Sequence, residues 1–169
     1  MRIEPAWIDY NGHLNMAFYH VMFDRAVDEA FAMAGLGADY LTERGASFFA
    51  AECHVRYLRE LASHHLVRVT LQLVDLDEKR IHFFMEMRHA TEGWLAATSE
   101  NLSLHVDMAS RKVAPFPADI RDNLAVMQAA HGRMKRPEAL GRVMGIASGH
   151  AGQGTDEAPS GQHSARYLN

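Results

Sequence analysis

One amphipathic segment constrains this chain more than any other feature. Between Met16 and Ala34, the residues Tyr19, Met22, Phe23, Ala26, Val27, Ala30, Phe31 and Ala34 recur at i, i+3 and i+4. That spacing is one face of an α-helix. His20, Asp24, Arg25, Asp28 and Glu29 fall elsewhere on the wheel. Asn15 is suited to the N-cap and Gly35 to the C′ position. A short helical turn over 38–44, ending at Gly45, is expected next. A long helix with one apolar stripe needs a partner layer to cover it.

The period then changes from 3.6 to 2. Over 47–60, one face carries Phe49, Ala51, Cys53, Val55 and Tyr57, and the other Phe48, Glu52, His54 and Arg56. Alternation of this kind predicts a strand. Val67, Val69, Leu71 and Leu73 mark a second strand; Ile81, Phe83, Met85 and Met87 mark a third. Trp94, Ala96, Thr98, Leu102, Leu104 and Val106 mark a long fourth, with Glu100 interrupting its apolar face. Charged residues over 75–79 and Thr91-Glu92-Gly93 supply the turns. Pro115 and Pro117 break the sheet, and Pro117 suits the first position of a last helix with Ile120, Leu124 and Met127 as its stripe. The expected class is α+β, an entry segment over 1–9, one long helix and an antiparallel meander. The hotdog fold, a curved antiparallel sheet wrapped around one long central helix, satisfies this layout, as do other α+β arrangements. Residues 1–133 form the expected domain and 134–169 a C-terminal extension. From about residue 146 that extension has too little apolar surface to order itself and is expected to be flexible.

Composition narrows the function. The chain has 169 residues, 48% of them hydrophobic, with a formal net charge of −4 and a pI near 6.2. No basic stripe is present, so no nucleic-acid partner is expected. No apolar run approaches the roughly 20 residues that span a bilayer, so no membrane partner is expected either. The start Met1-Arg2-Ile3-Glu4-Pro5 reads as no secretory signal. A single cysteine, Cys53, forms no intrachain disulfide and fits a reducing, cytoplasmic location. It falls among apolar residues and reads as core. Histidine is abundant, yet no HExxH motif occurs. His64 and His65 are expected on opposite sides of a strand, and no metal is predicted. A Gly-x-Ser-x-Gly elbow is absent, which argues against an α/β-hydrolase route.

The stretch Trp7-Ile8-Asp9-Tyr10-Asn11-Gly12-His13-Leu14-Asn15-Met16 places a carboxylate just before the long helix. The first turn of a helix has free N–H groups and the positive end of the dipole. Such donors hold an oxyanion. Asp9 beside them is equipped to attack a carbonyl or to activate water. The same residues are also what an ordinary turn needs, and composition alone favours the turn.

Asp9-Tyr10-Asn11-Gly12-His13-Leu14-Asn15, followed by Tyr19 and Phe23-Asp24-Arg25-Ala26, resembles the hotdog thioesterases of the 4-hydroxybenzoyl-CoA thioesterase type. The family's signature Asp, Gly and aromatic correspond to Asp9, Gly12 and Tyr19. His54-Val55-Arg56-Tyr57-Leu58-Arg59-Glu60-Leu61 resembles the family's second strand, and the likeness extends to about residue 117. Within the family, residues 7–15 are most similar to the branch associated with carnitine breakdown, which cleaves betainyl-CoA. The resemblance implies an acyl-CoA thioesterase acting on a small acyl-CoA, with coenzyme A as part of the substrate and no other cofactor. It implies a homo-oligomer, dimer or dimer of dimers, with sites at subunit interfaces. Asp9 is then nucleophile or general base, and the backbone N–H near Met16 polarises the thioester carbonyl.

Other residues carry two readings each. His13 either orients Asp9 or a water, or serves the turn. Asn15 is an N-cap before it is a substrate ligand. Tyr19 lies on the apolar stripe but is placed to line an acyl pocket. Arg56 and Arg59 are candidates for the coenzyme A phosphates, with a solvated sheet face as the plainer reading. Trp7 is the leading candidate for an aromatic wall around a trimethylammonium group, ahead of Phe48, Phe49, Tyr57 and Trp94. Two rival functions remain. A hotdog enoyl-CoA hydratase would use Asp9 and His13, but Gly12 stands where its loop carries Pro and the His comes one position early. A non-catalytic acyl-CoA-binding module would leave Asp9 unexplained.

Overall fold

The computed structural model describes residues 1–145. Helix α1 spans Met16–Ala32 and buries Tyr19, Met22, Phe23 and Phe31. Asn15 caps it, its side-chain oxygen accepting from the Ala17 N–H at 3.0 Å. The chain leaves it through Gly35 at φ +88°, where a Cβ would meet Ile120 Cδ1 at 2.9 Å. Helix α2 is Tyr40–Arg44, closed by Gly45 in the left-handed region at φ +61°.

Four long strands follow: β1 (Ala46–Tyr57), β2 (Val67–Leu76), β3 (Arg80–His89) and β4 (Leu95–Asp107). A short β5 (Lys112–Val113) pairs with the end of β4. The sheet order is β1-β4-β3-β2, antiparallel throughout. Helix α1 lies against its inner face. Phe31, fully buried, meets the rings of Phe48 and Phe83 edge-on at 5.3 and 5.2 Å. Removing such a side chain typically costs about 3–5 kcal/mol. This is the hotdog arrangement.

Helix α3 (Ala118–His131) packs Ile120 and Leu124 into the same core. Pro117 stands at its N-cap, one position earlier than expected. Its last residue, His131, accepts a hydrogen bond from the Leu73 N–H at 2.9 Å. Met1 also bonds with Val67 through both backbone groups. The β2 edge of the sheet is therefore partly covered, whereas no strand pairs the outer edge of β1 among the described residues. Exposed residues run through the middle of that edge strand, from Phe49 to Cys53.

Several sequence expectations need correction. Residues 5–7 form a single 3-10 turn rather than extended chain. In β1 a bulge between Ala50 and Glu52 resets the alternation. Phe48 and Ala50 therefore share the inner face with Cys53, while Phe49 joins the outer one. Cys53 is not core: it is exposed. In β4 the parity is reversed from the reading above. Ser99, Asn101 and Ser103 sit opposite Met85, Phe83 and Ile81 in the sheet. Thr98, Leu102 and Leu104 face the outer side. His64 and His65 precede β2, with His64 at φ +65° and the two rings edge-on at 5.5 Å, so they do not flank a strand. The proposed flexible tail from about residue 146 lies outside the described residues.

Candidate active site

The site begins as a tight hairpin. Ile8 bridges Leu14, the Asp9 N–H donates to the His13 carbonyl at 2.9 Å, and the Asn15 N–H donates to the Trp7 carbonyl at 2.9 Å. Gly12 holds φ +84°, which a side-chain-bearing residue adopts only with strain. Asp9 opens the turn as turn chemistry dictates. Its carbonyl accepts from the Gly12 N–H at 3.0 Å, and its Oδ1 accepts from the Asn11 N–H at 2.8 Å. Oδ2 has no hydrogen-bond partner among the described residues. One carboxylate oxygen is thus anchored and the other is free to react.

The hairpin feeds directly into α1. Asn15 uses its side chain on the Ala17 N–H and its carbonyl on the Phe18 N–H. The Met16 N–H is left without a partner among the described residues. An unpaired donor at the positive end of a 17-residue helix is a ready oxyanion ligand. The loop is held against the segment that follows β1: the Leu14 N–H donates to the Leu61 carbonyl at 2.7 Å.

The remaining candidates separate. His13 Nε2 lies 3.0 Å from Glu60 Oε2 and makes no hydrogen bond to the Asp9 carboxylate among the described residues. Tyr19 is buried, its ring edge-on to Tyr57 at 5.1 Å. Burial raises its phenol pKa above the usual value, so it stays neutral. Trp7 is also buried. It stacks on Phe18 at 5.2 Å, with the Arg25 guanidinium 5.4 Å from its ring centre. The Arg59 guanidinium lies 4.1 Å from the Trp94 ring centre, and Arg56 faces the outer side of the sheet, so the two arginines do not converge.

A cleft of about 640 Å³ runs between α1, α2 and the inner face of β1 and β4. Ser99, Asn101 and Ser103 line its floor, Asp24 and Asp28 its helix side, and no Lys or Arg is among its lining residues. Cys53 Sγ reaches Ser99 Oγ at 3.4 Å. Burial and the nearby Asp24 charge raise the Asp28 pKa. Sequence reasoning missed this polar inner strip because it assigned the wrong face of β4 to the core. Glu100, which interrupts the apolar run of β4, and its neighbour Asn101 split between the two faces. Glu100 pairs with His82 at 2.9 Å outside, and Asn101 bonds Ser99 at 2.9 Å inside. No group of three His, Cys, Asp or Glu suited to a metal occurs among the described residues, and no helix there is long and apolar enough to cross a membrane.

The chain is similar to several known proteins. Residues 3–124 match the Thioesterase-like superfamily. A Pseudomonas aeruginosa protein named betainyl-CoA thioesterase is 36% identical over 85% of this chain and 91% of its own length. A Rhizobium meliloti protein named L-carnitine dehydrogenase/betainyl-CoA thioesterase is 35% identical over the same share of this chain, which spans only 29% of that longer protein. Among solved structures, a Staphylococcus aureus hypothetical protein in complex with CoA superposes with TM-score 0.81 at 27% identity, covering 86% of this chain and 92% of that one. A putative thioesterase from Pseudomonas putida gives 0.76 at 31%, covering 88% and 94%. With the family match covering most of the domain that carries the Asp9 hairpin, this chain belongs to the thioesterase-like superfamily.

Proposed function

We propose that this protein hydrolyses an acyl-CoA thioester to a free acid and coenzyme A. The observation that carries the reading is the free oxygen of Asp9 in a hairpin that ends at the unpaired Met16 N–H. The thioester carbonyl accepts from that N–H and its carbon faces the carboxylate. In one route Asp9 Oδ2 attacks, the C–S bond breaks, coenzyme A leaves as thiolate and takes a proton, and water then cleaves the acyl anhydride. In the other, Asp9 takes a proton from the water that attacks. Both routes consume one water, and coenzyme A enters only as part of the substrate.

For the acyl group we propose betaine. The named relatives support it, and so does a cleft with two aspartates and no basic side chain. The active assembly we propose is a homodimer, or a dimer of dimers, joined through the bare β1 edge. A long unpaired strand with an exposed middle is an open template for pairing. The hotdog domain occupies 1–133 with an extension from 134. The unpaired thiol of Cys53 suits the reducing cytoplasm. The test is release of coenzyme A thiol from betainyl-CoA and from 3,3-dimethylbutanoyl-CoA, which has the same shape without the charge. Faster turnover of the charged thioester is expected. Equal rates would remove betaine from the account, and no release from any thioester would remove hydrolysis.

A further inference from the structure

The loop between β1 and β2 carries the peptide on which the Asp9 hairpin hangs. The Leu61 carbonyl accepts from the Leu14 N–H at 2.7 Å. The Ala62 N–H, at the other end of the same peptide unit, donates to His65 Nδ1 at 3.3 Å. A peptide unit is a rigid plane, so a grip on its N–H also sets the direction of its C=O. Leu14 bridges Ile8 across the hairpin, and the next two residues are the Asn15 cap and Met16. One imidazole is therefore linked, through a single peptide, to the strand that leads from Asp9 into α1. The backbone of the loop resists this arrangement. His64 sits at φ +65°, in the left-handed region, which a residue with a side chain adopts at a cost. The His65 N–H closes the turn on the Ala62 carbonyl at 3.3 Å, and the His65 carbonyl accepts from the Ile3 N–H at 3.0 Å.

The His65 ring is wedged in place. It lies edge-on to His89 at 4.8 Å and to Trp94 at 6.2 Å, and His89 stacks on Trp94 at 5.0 Å. The titratable and charged groups around it, among the described residues, are His64 beside it, His89 from β3, Arg59 from the segment after β1, and Glu92 from the turn before β4. Glu92 is engaged elsewhere, accepting from the Trp94 Nε1–H at 2.9 Å. A second proton on the His65 ring would turn Nδ1 from an acceptor into a donor aimed at the Ala62 N–H. Burial, and then His89 and His64, hold the His65 pKa below the ordinary histidine value, so the acceptor survives to lower pH. We propose that His65 is a positioning residue for the hydrolytic site: its unprotonated Nδ1 fixes the Leu61–Ala62 peptide, and protonation of that nitrogen loosens the Asp9 hairpin. The consequence for turnover rests on the thioesterase reading, whereas the grip on the peptide is tested without substrate.

The test is amide hydrogen exchange of the full chain, read at Leu14 by NMR in wild type, His65→Asn and His65→Ala. Asparagine offers an acceptor close to the place of Nδ1 and does not titrate. At neutral pH, Leu14 protection in His65→Asn is expected to stay within about twofold of wild type, and in His65→Ala to fall about tenfold. Protection of Met85 in the middle of β3 should be the same in all three, which separates a loosened hairpin from a loosened fold. As pH falls below about 6.5, Leu14 protection, corrected for the intrinsic exchange rate, is expected to decline in wild type and to hold in His65→Asn. With betainyl-CoA, the acid-side decline of kcat should begin at lower pH in His65→Asn than in wild type, with KM little changed. Leu14 protection that is equal in wild type and His65→Ala overturns the proposal. So does an acid decline that is the same in wild type and His65→Asn, a comparison that decides the matter even where His65→Ala does not fold. Leu14 protection that follows His65 while no thioester is hydrolysed would count against the hydrolase reading alone.

Discussion

His13 Nε2 lies 3.0 Å from Glu60 Oε2, which ties the Asp9 turn to the segment that follows β1. Both partners are substantially exposed, at 41% and 74%. A surface pair of this kind contributes at most about 1 kcal/mol. His13→Ala and Glu60→Gln should therefore lower kcat alike and less than about tenfold, through a looser loop. A His13→Ala loss far larger than that of Glu60→Gln would give the imidazole a role in the chemistry and revive the hydratase reading of Asp9 and His13.

The β1 edge leads to a prediction about assembly. Sedimentation of the wild type should show a dimer or larger at micromolar concentration. Ala51→Pro, placed at the β1 bulge where proline is tolerated within a sheet, should shift the protein to monomer while circular dichroism stays unchanged. Its turnover should fall with the dimer. A fully active monomer would contradict an interfacial site.

Charge in the inner cleft predicts selectivity. Asp24→Asn and Asp28→Asn should each raise the KM for betainyl-CoA several-fold and leave that for 3,3-dimethylbutanoyl-CoA unchanged, because only the former carries a cation. Equal effects on both thioesters would reduce the two aspartates to solvated surface.

His131 predicts how stability responds to acid. Burial lowers its pKa below the ordinary histidine value of about 6.5, and its Nδ1 must stay unprotonated to accept from the Leu73 N–H. Above that ordinary value the imidazole is neutral folded and unfolded, and the bond contributes fully. As pH falls below it, the unfolded chain takes the proton first and stability declines until the lowered folded pKa is passed. His65, also lowered by burial and then by His89, adds a decline of the same sign. The melting temperature should drop as pH falls below about 6.5, and less steeply in His131→Asn, which retains an acceptor but does not titrate. Identical slopes in the two proteins would remove His131 from the explanation.

How far the sequence was legible depended on whether the signal was local. Helix α1 was readable because its stripe, its Asn15 cap and Gly35 all lie in one continuous stretch. The Asp9 hairpin was readable for the same reason: Asp, Asn and Gly each meet a local backbone demand. Strand faces were harder. One extra residue at Ala51 inverts the phase of β1, and alternation carries no mark of a bulge. In β4 the apolar residues Leu102 and Leu104 read as core, whereas the inner face there carries serine and asparagine. The surroundings of His65 were invisible. It reads as one of two adjacent histidines until the fold sets its ring against His89 and Trp94. The role proposed for Met16 is through its backbone N–H, so no side-chain pattern marks it and the resemblance pointed to it.

The most direct test of the account is release of coenzyme A thiol by wild type and Asp9→Asn, measured side by side with melting curves. The substitution keeps the side-chain shape and the acceptor for the Asn11 N–H. The account predicts a melting temperature within about two degrees of wild type and a kcat reduced by about 10³-fold or more. A folded Asp9→Asn protein that turns over at the wild-type rate would contradict it.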